Sequence, residues 1–381
     1  MAARDVGYRC GRNVPIASGE RGAGIRVFEA TTLPGRVVFG PGSLERVAEE
    51  VRALGARRVL LVGGGSSRAA IHQVLDGLGA HAVGHVDEVR QHVPETVAAA
   101  AVSRAKELEA DGVVTVGGGS ATGLGKAVAL ETGVALLAVP TTYAGSEMTP
   151  IYGITGEHKR TGRDPRVLPR TVVYDPELTV GLSVGASAAS GMNAMAQAVE
   201  ALWASPHEPV TTLLAEEAVG VLADALPRVA ATPTDLDARA DALYGAFLAG
   251  TSLGRIPSTG LHHRLCHAVG GTYGLPHAAT HAALLPHTAA FTTPAAPGIA
   301  ARIAAALGSD DAAAGLDGLN RWLGNATSLA ELGAPPSAIA EVVAATAAAA
   351  AEVRPRPAGT AELSALLHDA FEGTSPRGKR A

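Results

Sequence analysis

Six of the chain's thirteen histidines (His262, His263, His267, His277, His281 and His287) fall within 26 residues, where an even scatter would place about one. His263 and His267 are four residues apart, as are His277 and His281, so each pair shares a face of a helix. Imidazoles in such pairs are natural ligands for zinc or iron, and natural proton donors and acceptors near neutral pH. A second pair, Asn193 and Gln197, stands in a run of small apolar residues, Ser190-Gly191-Met192-Asn193-Ala194-Met195-Ala196-Gln197. Its amides either face a site or are buried as a neutral polar pair. Cations for an acidic substrate are available in Arg255, Arg264 and Lys159, although Arg264 would serve equally as a surface charge.

Two glycine-rich runs could bind phosphate. Val113–Val116 leads into Gly117-Gly118-Gly119-Ser120 and a helix carrying Lys126, while Gly63-Gly64-Gly65-Ser66-Ser67 follows the strand Arg57–Val62. A strand that ends in glycines before a helix offers free backbone N–H groups and a favourable dipole to an anion. The spacing is neither G-x-G-x-x-G nor Walker A, since Ser120 stands where the leading glycine belongs and Ala127 follows Lys126. One such turn could be purely structural; two in one sheet favour a dinucleotide. A carboxylate after Arg57–Val62 would select NAD. Glycines, serines and Arg68 stand there instead, which leaves both NADH and NADPH open.

The elements that must position these residues follow from pattern. Strands are expected at Arg36–Phe39, Arg57–Val62, Ala82–Val86, Gly112–Val116 and Val134–Val139. Helices are expected at Ser43–Leu54, Ser67–Leu78, Pro94–Glu109 and Ala121–Leu130. Near-continuous apolar strands alternating with helices mean a parallel sheet with helices on both faces, an α/β nucleotide-binding fold. Beyond Tyr174–Pro176 the periodicity is helical, in Ala186–Ala204, Val210–Val229 and Asp235–Ser252. The expected organisation is an irregular tail over 1–26, an α/β dinucleotide-binding domain over 27–180, an all-helical domain with the catalytic cleft over 181–373, and a disordered tail over 374–381. With 381 residues, 47% hydrophobic and 18% charged, a large core is available. A net charge of −5 argues against a nucleic-acid partner, and two cysteines exclude a disulfide framework. Apolar stretches are too short for a membrane span, and the first residues carry no signal-peptide core, so a cytoplasmic protein is expected.

Together these residues resemble the iron-containing (group III) alcohol dehydrogenase family, whose relatives include dehydroquinate synthase. The likeness runs from about Phe28 to Phe291. It rests on Gly117–Ser120 with Lys126, on Pro140-Thr141-Thr142-Tyr143-Ala144-Gly145-Ser146-Glu147-Met148-Thr149 and on Asp175-Pro176-Glu177-Leu178. It continues through Ser190-Gly191-Met192 and Cys266-His267 to Pro276-His277. Within the family, Gly260-Leu261-His262-His263-Arg264-Leu265-Cys266-His267, continuing to Leu275-Pro276-His277-Ala278 and His281, is similar to the maleylacetate reductase subfamily. So are Phe28-Glu29, Val38-Phe39-Gly40 and Gly123-Leu124-Gly125-Lys126.

The resemblance implies NAD(P)H in a cleft between the two domains. Its pyrophosphate would lie on Gly118, Gly119 and Ser120, with Gly63 and Gly64 on the second loop and Thr141, Thr142 and Ser146 lining the cleft. A homodimer is implied as well. Metal-dependent members carry an Asp and, four residues on, a His after Ser-Gly-Met; this chain has Asn193 and Gln197 there, and His267 and His277 match the other two ligand positions. With no anionic ligand, no metal or only a weakly held one is expected.

The implied reaction is metal-independent reduction of maleylacetate to 3-oxoadipate, in aromatic catabolism. Hydride adds to the C=C conjugated with a ketone, and the charge gathers as an enolate on the ketone oxygen. His263, His267, His277 and Arg264 are the catalytic candidates, as donors, acids or carboxylate clamp. Tyr143, Lys159, Asn193, Gln197 and Arg255 are the candidates for holding a dicarboxylate or enone substrate. Another NAD(P)H-dependent carbonyl or enone reductase, a non-redox lyase or cyclase on the same scaffold, and a non-catalytic binding protein are the competing readings.

Overall fold

The apolar runs Val59–Val62, Gly112–Gly117, Ala135–Pro140 and Thr171–Tyr174 show no in–out alternation, and nearly every residue in them is buried. Strands buried on both faces belong inside a parallel sheet with helices above and below. The computed structural model, which describes residues 28–32, 35–156, 159–204 and 208–376, has that arrangement. The expected tail over 1–26 lies outside the described residues, as does 377–381; residues 374–376 follow the last helix as irregular chain.

The first part of the chain runs β1 (Phe28–Thr32), β2 (Gly35–Phe39), α1 (Val47–Ala53), β3 (Val59–Val62), α2 (Arg68–Leu78), β4 (Ala82–Val86) and α3 (Glu95–Glu107). It continues with β5 (Gly112–Gly117), α4 (Gly119–Thr132), β6 (Ala135–Pro140), β7 (Ile151–Thr155), β8 (Lys159–Arg163) and β9 (Thr171–Tyr174). The main sheet has the order β1-β2-β9-β6-β5-β3-β4, with β7 and β8 forming a separate antiparallel hairpin. Strand β1 pairs antiparallel with β2, and every other neighbour in the main sheet pairs in parallel. The chain moves outward from β3 to β4 and then returns to the other side of β3 with β5. That reversal is the point at which open α/β sheets bind ligands, at the carboxyl ends of their strands.

From Val184 the described chain is helical: α5 (Val184–Ala204), α6 (Pro209–Ala231), α7 (Leu236–Arg255), α8 (Leu261–Tyr273) and α9 (His277–Thr292). Then follow α10 (Pro297–Ala306), α11 (Ala312–Trp322), α12 (Ala338–Ala350) and α13 (Thr360–Glu372). Helix α5 is buried almost all round from Ser187 to Trp203, which makes it the centre of the bundle. The Glu208 side chain caps α6 and that of Asp235 caps α7. One apolar cluster joins Val37, Phe39 and Tyr174 of the sheet to α5, α6 and α7, and another joins α8, α9, α12 and α13. Among the described residues, no helix is long and apolar enough to cross a membrane.

Candidate active site

The glycine loops sit at the carboxyl ends of β3 and β5. A Cβ on Gly63 would lie 2.4 Å from the Val116 carbonyl oxygen, and one on Gly64 would lie 2.3 Å from that of Asp87, so only glycine fits. Gly118 precedes α4 with no side-chain cap, which leaves the first N–H groups of the helix to an incoming anion. The loops after β3 and β6 meet through Ser67 Oγ and Thr141 Oγ1, 3.3 Å apart. Beyond β6, Thr142 and Ser146 are half-buried, while Thr141 and Tyr143 point inward.

Lys126, although it follows the glycine loop, does not serve the phosphate. Its ammonium is fully buried and donates to the carbonyl oxygens of Ser146 (2.6 Å), Thr149 (2.8 Å) and Ile151 (2.7 Å). Burial pulls its pKa down to about 7, with Glu147 opposing and Arg163 reinforcing that shift. Lys126 therefore pins the loop from Ser146 to Ile151.

On α5, Asn193 and Gln197 lie one turn apart and act together. Asn193 Nδ2 (3.3 Å) and Gln197 Nε2 (2.6 Å) both donate to the carbonyl oxygen of Ala144. Asn193 Oδ1 and Gln197 Oε1 are buried with no hydrogen-bond partner among the described residues. Three residues further along α5, Glu200 accepts hydrogen bonds from the backbone N–H of His263 and from its Nδ1. Burial pushes the Glu200 carboxyl up, but its contacts with His263 and His262 outweigh that and hold it below the usual range. An ionised carboxylate only accepts, so His263 must donate from Nδ1, which fixes its tautomer.

Helices α8 and α9 turn back on each other at Gly274, whose φ of +64° allows the tight corner. The corner brings the histidines into one cluster. The rings of His267 and His277 stack with centroids 5.9 Å apart, and His277 lies edge-on to His281 at 4.5 Å. His262 Nε2 bonds His281 Nδ1 at 2.9 Å, and His262 Nδ1 bonds Thr288 Oγ1 at 3.0 Å. Burial, followed by the charge of His263, drives His262 down to about 3, and burial likewise takes His281 well below its normal range. Both rings are therefore neutral at working pH. His287 is buried too, with its pKa lowered by burial.

The cations divide. Arg264 is half-buried on α8, and its Nε is buried with no hydrogen-bond partner among the described residues. Arg255, read from sequence as a substrate contact, instead bonds Thr211 Oγ1 (3.0 Å) and pairs with Glu208 (3.3 Å) at the start of α6. Tyr143 also needs correction as a substrate contact. It is fully buried, and its hydroxyl accepts from Arg239 at 3.2 Å. The side chain of Lys159 lies outside the described residues. Glu200 ends the same run and has no role assigned from sequence, yet it shares a face of α5 with Asn193 and Gln197, seven and three residues on, and that spacing is its signal.

A metal site fits these residues poorly at the Asn193 and Gln197 position, where the amide oxygens, although unpartnered among the described residues, are neutral and weak donors to a cation. The nitrogens of His267, His277 and His281 do lie within 4.8 Å of one another, as do ligand atoms of His262, Cys266 and His281.

Comparison with known proteins adds the family. Residues 34–176 match the iron-containing alcohol dehydrogenases, and residues 187–371 match the C-terminal part of the same family. Maleylacetate reductase from Burkholderia cepacia is 47% identical over 92% of this chain and 99% of its own length. Maleylacetate reductase 2 from Cupriavidus pinatubonensis is 48% identical over 92% of this chain and 98% of its own. The crystal structure of maleylacetate reductase from Agrobacterium tumefaciens matches with a TM-score of 0.85 at 44% identity, covering 92% of this chain and 99% of that one. A structure of 1,3-propanediol oxidoreductase matches with a TM-score of 0.83 at 26% identity, covering 91% and 100%. The chain thus belongs to the iron-containing alcohol dehydrogenase family, as an NAD(P)-dependent oxidoreductase with maleylacetate reductases among its relatives.

Proposed function

We propose that this protein reduces maleylacetate to 3-oxoadipate with NADH or NADPH, and that it does so without a metal. The substrate assignment is carried by near-half identity, over nearly the full length of both chains, to relatives named maleylacetate reductases. The metal-free reading is carried by Asn193 and Gln197, which put two neutral amide oxygens and no anionic donor at that position.

In this reading, backbone N–H groups of Gly119 and Ser120, with Gly118 leading in, hold the pyrophosphate at the start of α4. Thr142 and Ser146 line the cleft, and Lys126 keeps their loop in place. A reduced nicotinamide held there would supply the hydride for the carbon β to the substrate ketone. Charge then develops on the ketone oxygen, where imidazole N–H groups from His263, His267 or His277 stabilise it. Glu200 orients His263 for that work. One imidazole then passes its proton to the α-carbon, and water restores it. Arg264 holds a substrate carboxylate.

A metal-assisted reaction has one observation in its favour, the His267–His277–His281 spacing. Both readings meet in one experiment, NAD(P)H oxidation with maleylacetate by chelator-treated, metal-analysed enzyme. Fast oxidation that added Fe²⁺ or Zn²⁺ does not increase is expected. Activity only after metal is restored would overturn the metal-free reading, and no oxidation in either state would overturn the substrate.

A further inference from the structure

The segment joining β4 to α3 plays no part in the chemistry above, yet two consecutive non-glycine residues in it have positive φ: His92 at +62° and Val93 at +48°. A β-branched residue is strained there, because its Cβ crowds the neighbouring backbone. Such a conformation persists only where the surroundings impose it, and it concentrates where a chain must present a working group.

The surroundings do impose it. Thr155, at the end of β7, donates its N–H to the Val93 carbonyl (3.0 Å) and its hydroxyl to the His92 carbonyl (2.7 Å). Pro94 and Thr155 form an isolated parallel bridge beside these bonds. The Val93 side chain is buried against α4 at Gly123, where a Cβ would lie 2.8 Å from Val93 Cγ2. Gly123 opens the Gly-Leu-Gly-Lys stretch noted in the sequence, and this seat gives it a purpose. Fixed from both sides, the loop holds the His92 ring edge-on to His277, with centroids 6.3 Å apart and planes at 85°. A residue of the sheet-bearing part thereby reaches the imidazole at the head of α9, far in sequence from the histidine-rich segment.

We propose that His92 is a substrate-contacting residue, whose imidazole N–H donates to a carboxylate of the dicarboxylate held beside His277, with the left-handed His92–Val93 backbone keeping it in place. The proposal rests on the reductase reading above. A ring that merely packed against His277 would not require a strained valine and two hydrogen bonds from Thr155 to aim it.

The test combines steady-state kinetics with calorimetric titration of adipate, a six-carbon dicarboxylate, on the full chain in the presence of oxidised nucleotide. His92→Phe keeps a ring and loses the donor. It is expected to raise the KM for maleylacetate and the Kd for adipate about tenfold or more, leaving the KM for nucleotide unchanged. His92→Asn keeps a donor and should recover part of the loss. Val93→Gly relieves the strain but empties the buried seat against Gly123 and frees the loop, so it should lower Tm and raise the KM for maleylacetate with the nucleotide KM unchanged. The proposal is overturned if His92→Phe binds adipate as the parent does, if it shifts the nucleotide KM equally, or if the parent binds no adipate. Should the parent fail to oxidise NAD(P)H while His92→Phe still weakens adipate binding, the reductase reading falls and the His92 contact stands.

Discussion

Both amide nitrogens of Asn193 and Gln197 converge on the carbonyl of Ala144, and both amide oxygens are left buried and unpartnered among the described residues. An amide oxygen is a weak, neutral donor to a cation, so the missing ingredient is negative charge. Asn193→Asp combined with Gln197→His would provide an anion and another imidazole at that spot. The double variant is expected to retain stoichiometric zinc or iron through dialysis where the parent does not, as measured by elemental analysis. Equal retention by both would show that the parent already owns a metal seat. The variant also gives up two bonds to Ala144, which should lower stability by about 0.5–1.5 kcal/mol for each. This pair was legible in sequence because residues four apart declare a shared helical face. The partnership of Glu200 with His263 was not, since 63 residues separate them and nothing local to either announces the other.

At the scale of elements, the α8–α9 pair buries imidazoles that an unfolded chain would protonate. Unfolded, His262 titrates near 6.5; folded, it stays neutral down to about 3. Protons therefore favour the unfolded chain, so the stability is fully present above about pH 6.5 and is lost as pH falls through that window. Each such histidine contributes a slope of about 1.4 kcal/mol per pH unit there, and His281 is shifted in the same direction. Glu200, held low, adds a loss of the same sign only at more acid pH, below about 4.5. Urea midpoints should drop between pH 7 and 5, and His262→Asn should flatten that slope; midpoints that do not move would mean that these rings are solvated. The long periodic elements that carry these residues could be read in advance, but several short ones could not. Strand β9, at four residues, is too short for its pattern to declare a strand, and the expected helix at Ser43 opens with a 3-10 turn before α1. The β7–β8 hairpin carries polar residues and joins no strand of the main sheet, so no apolar alternation marks it. Strand β1 is antiparallel at an edge, and its register depends on a partner rather than on its own pattern.

For the whole molecule, the segment from Thr141 to Thr149 is gripped from two sides at once. From the sheet side, Lys126 holds its end through Ser146 and Thr149. From the helical side, Arg239 is fully buried and joins the Tyr143 hydroxyl to Ser187 Oγ and the Leu182 carbonyl. Gly145 takes a φ of +71° beneath Gln197, and Gly250 of α7 lies so close that a Cβ there would meet the Gly145 carbonyl oxygen at 2.3 Å. Gly250→Ala is thus a wedge between α7 and the loop proposed to line the cofactor cleft. Overpacking of this kind costs about 1–3 kcal/mol, so Tm should fall by a few degrees and the KM for NAD(P)H should rise together with that fall. Gly185→Ala is the control: nothing lies within 4 Å of its Cβ, and an exposed helical glycine replaced by alanine should leave Tm unchanged or slightly higher. Because one apolar cluster runs from Val37, Phe39 and Tyr174 of the sheet into α5, α6 and α7, the wedge should shift a single melting transition. Two separate transitions, with only the helical part melting early, would show that the shared cluster does not couple the parts.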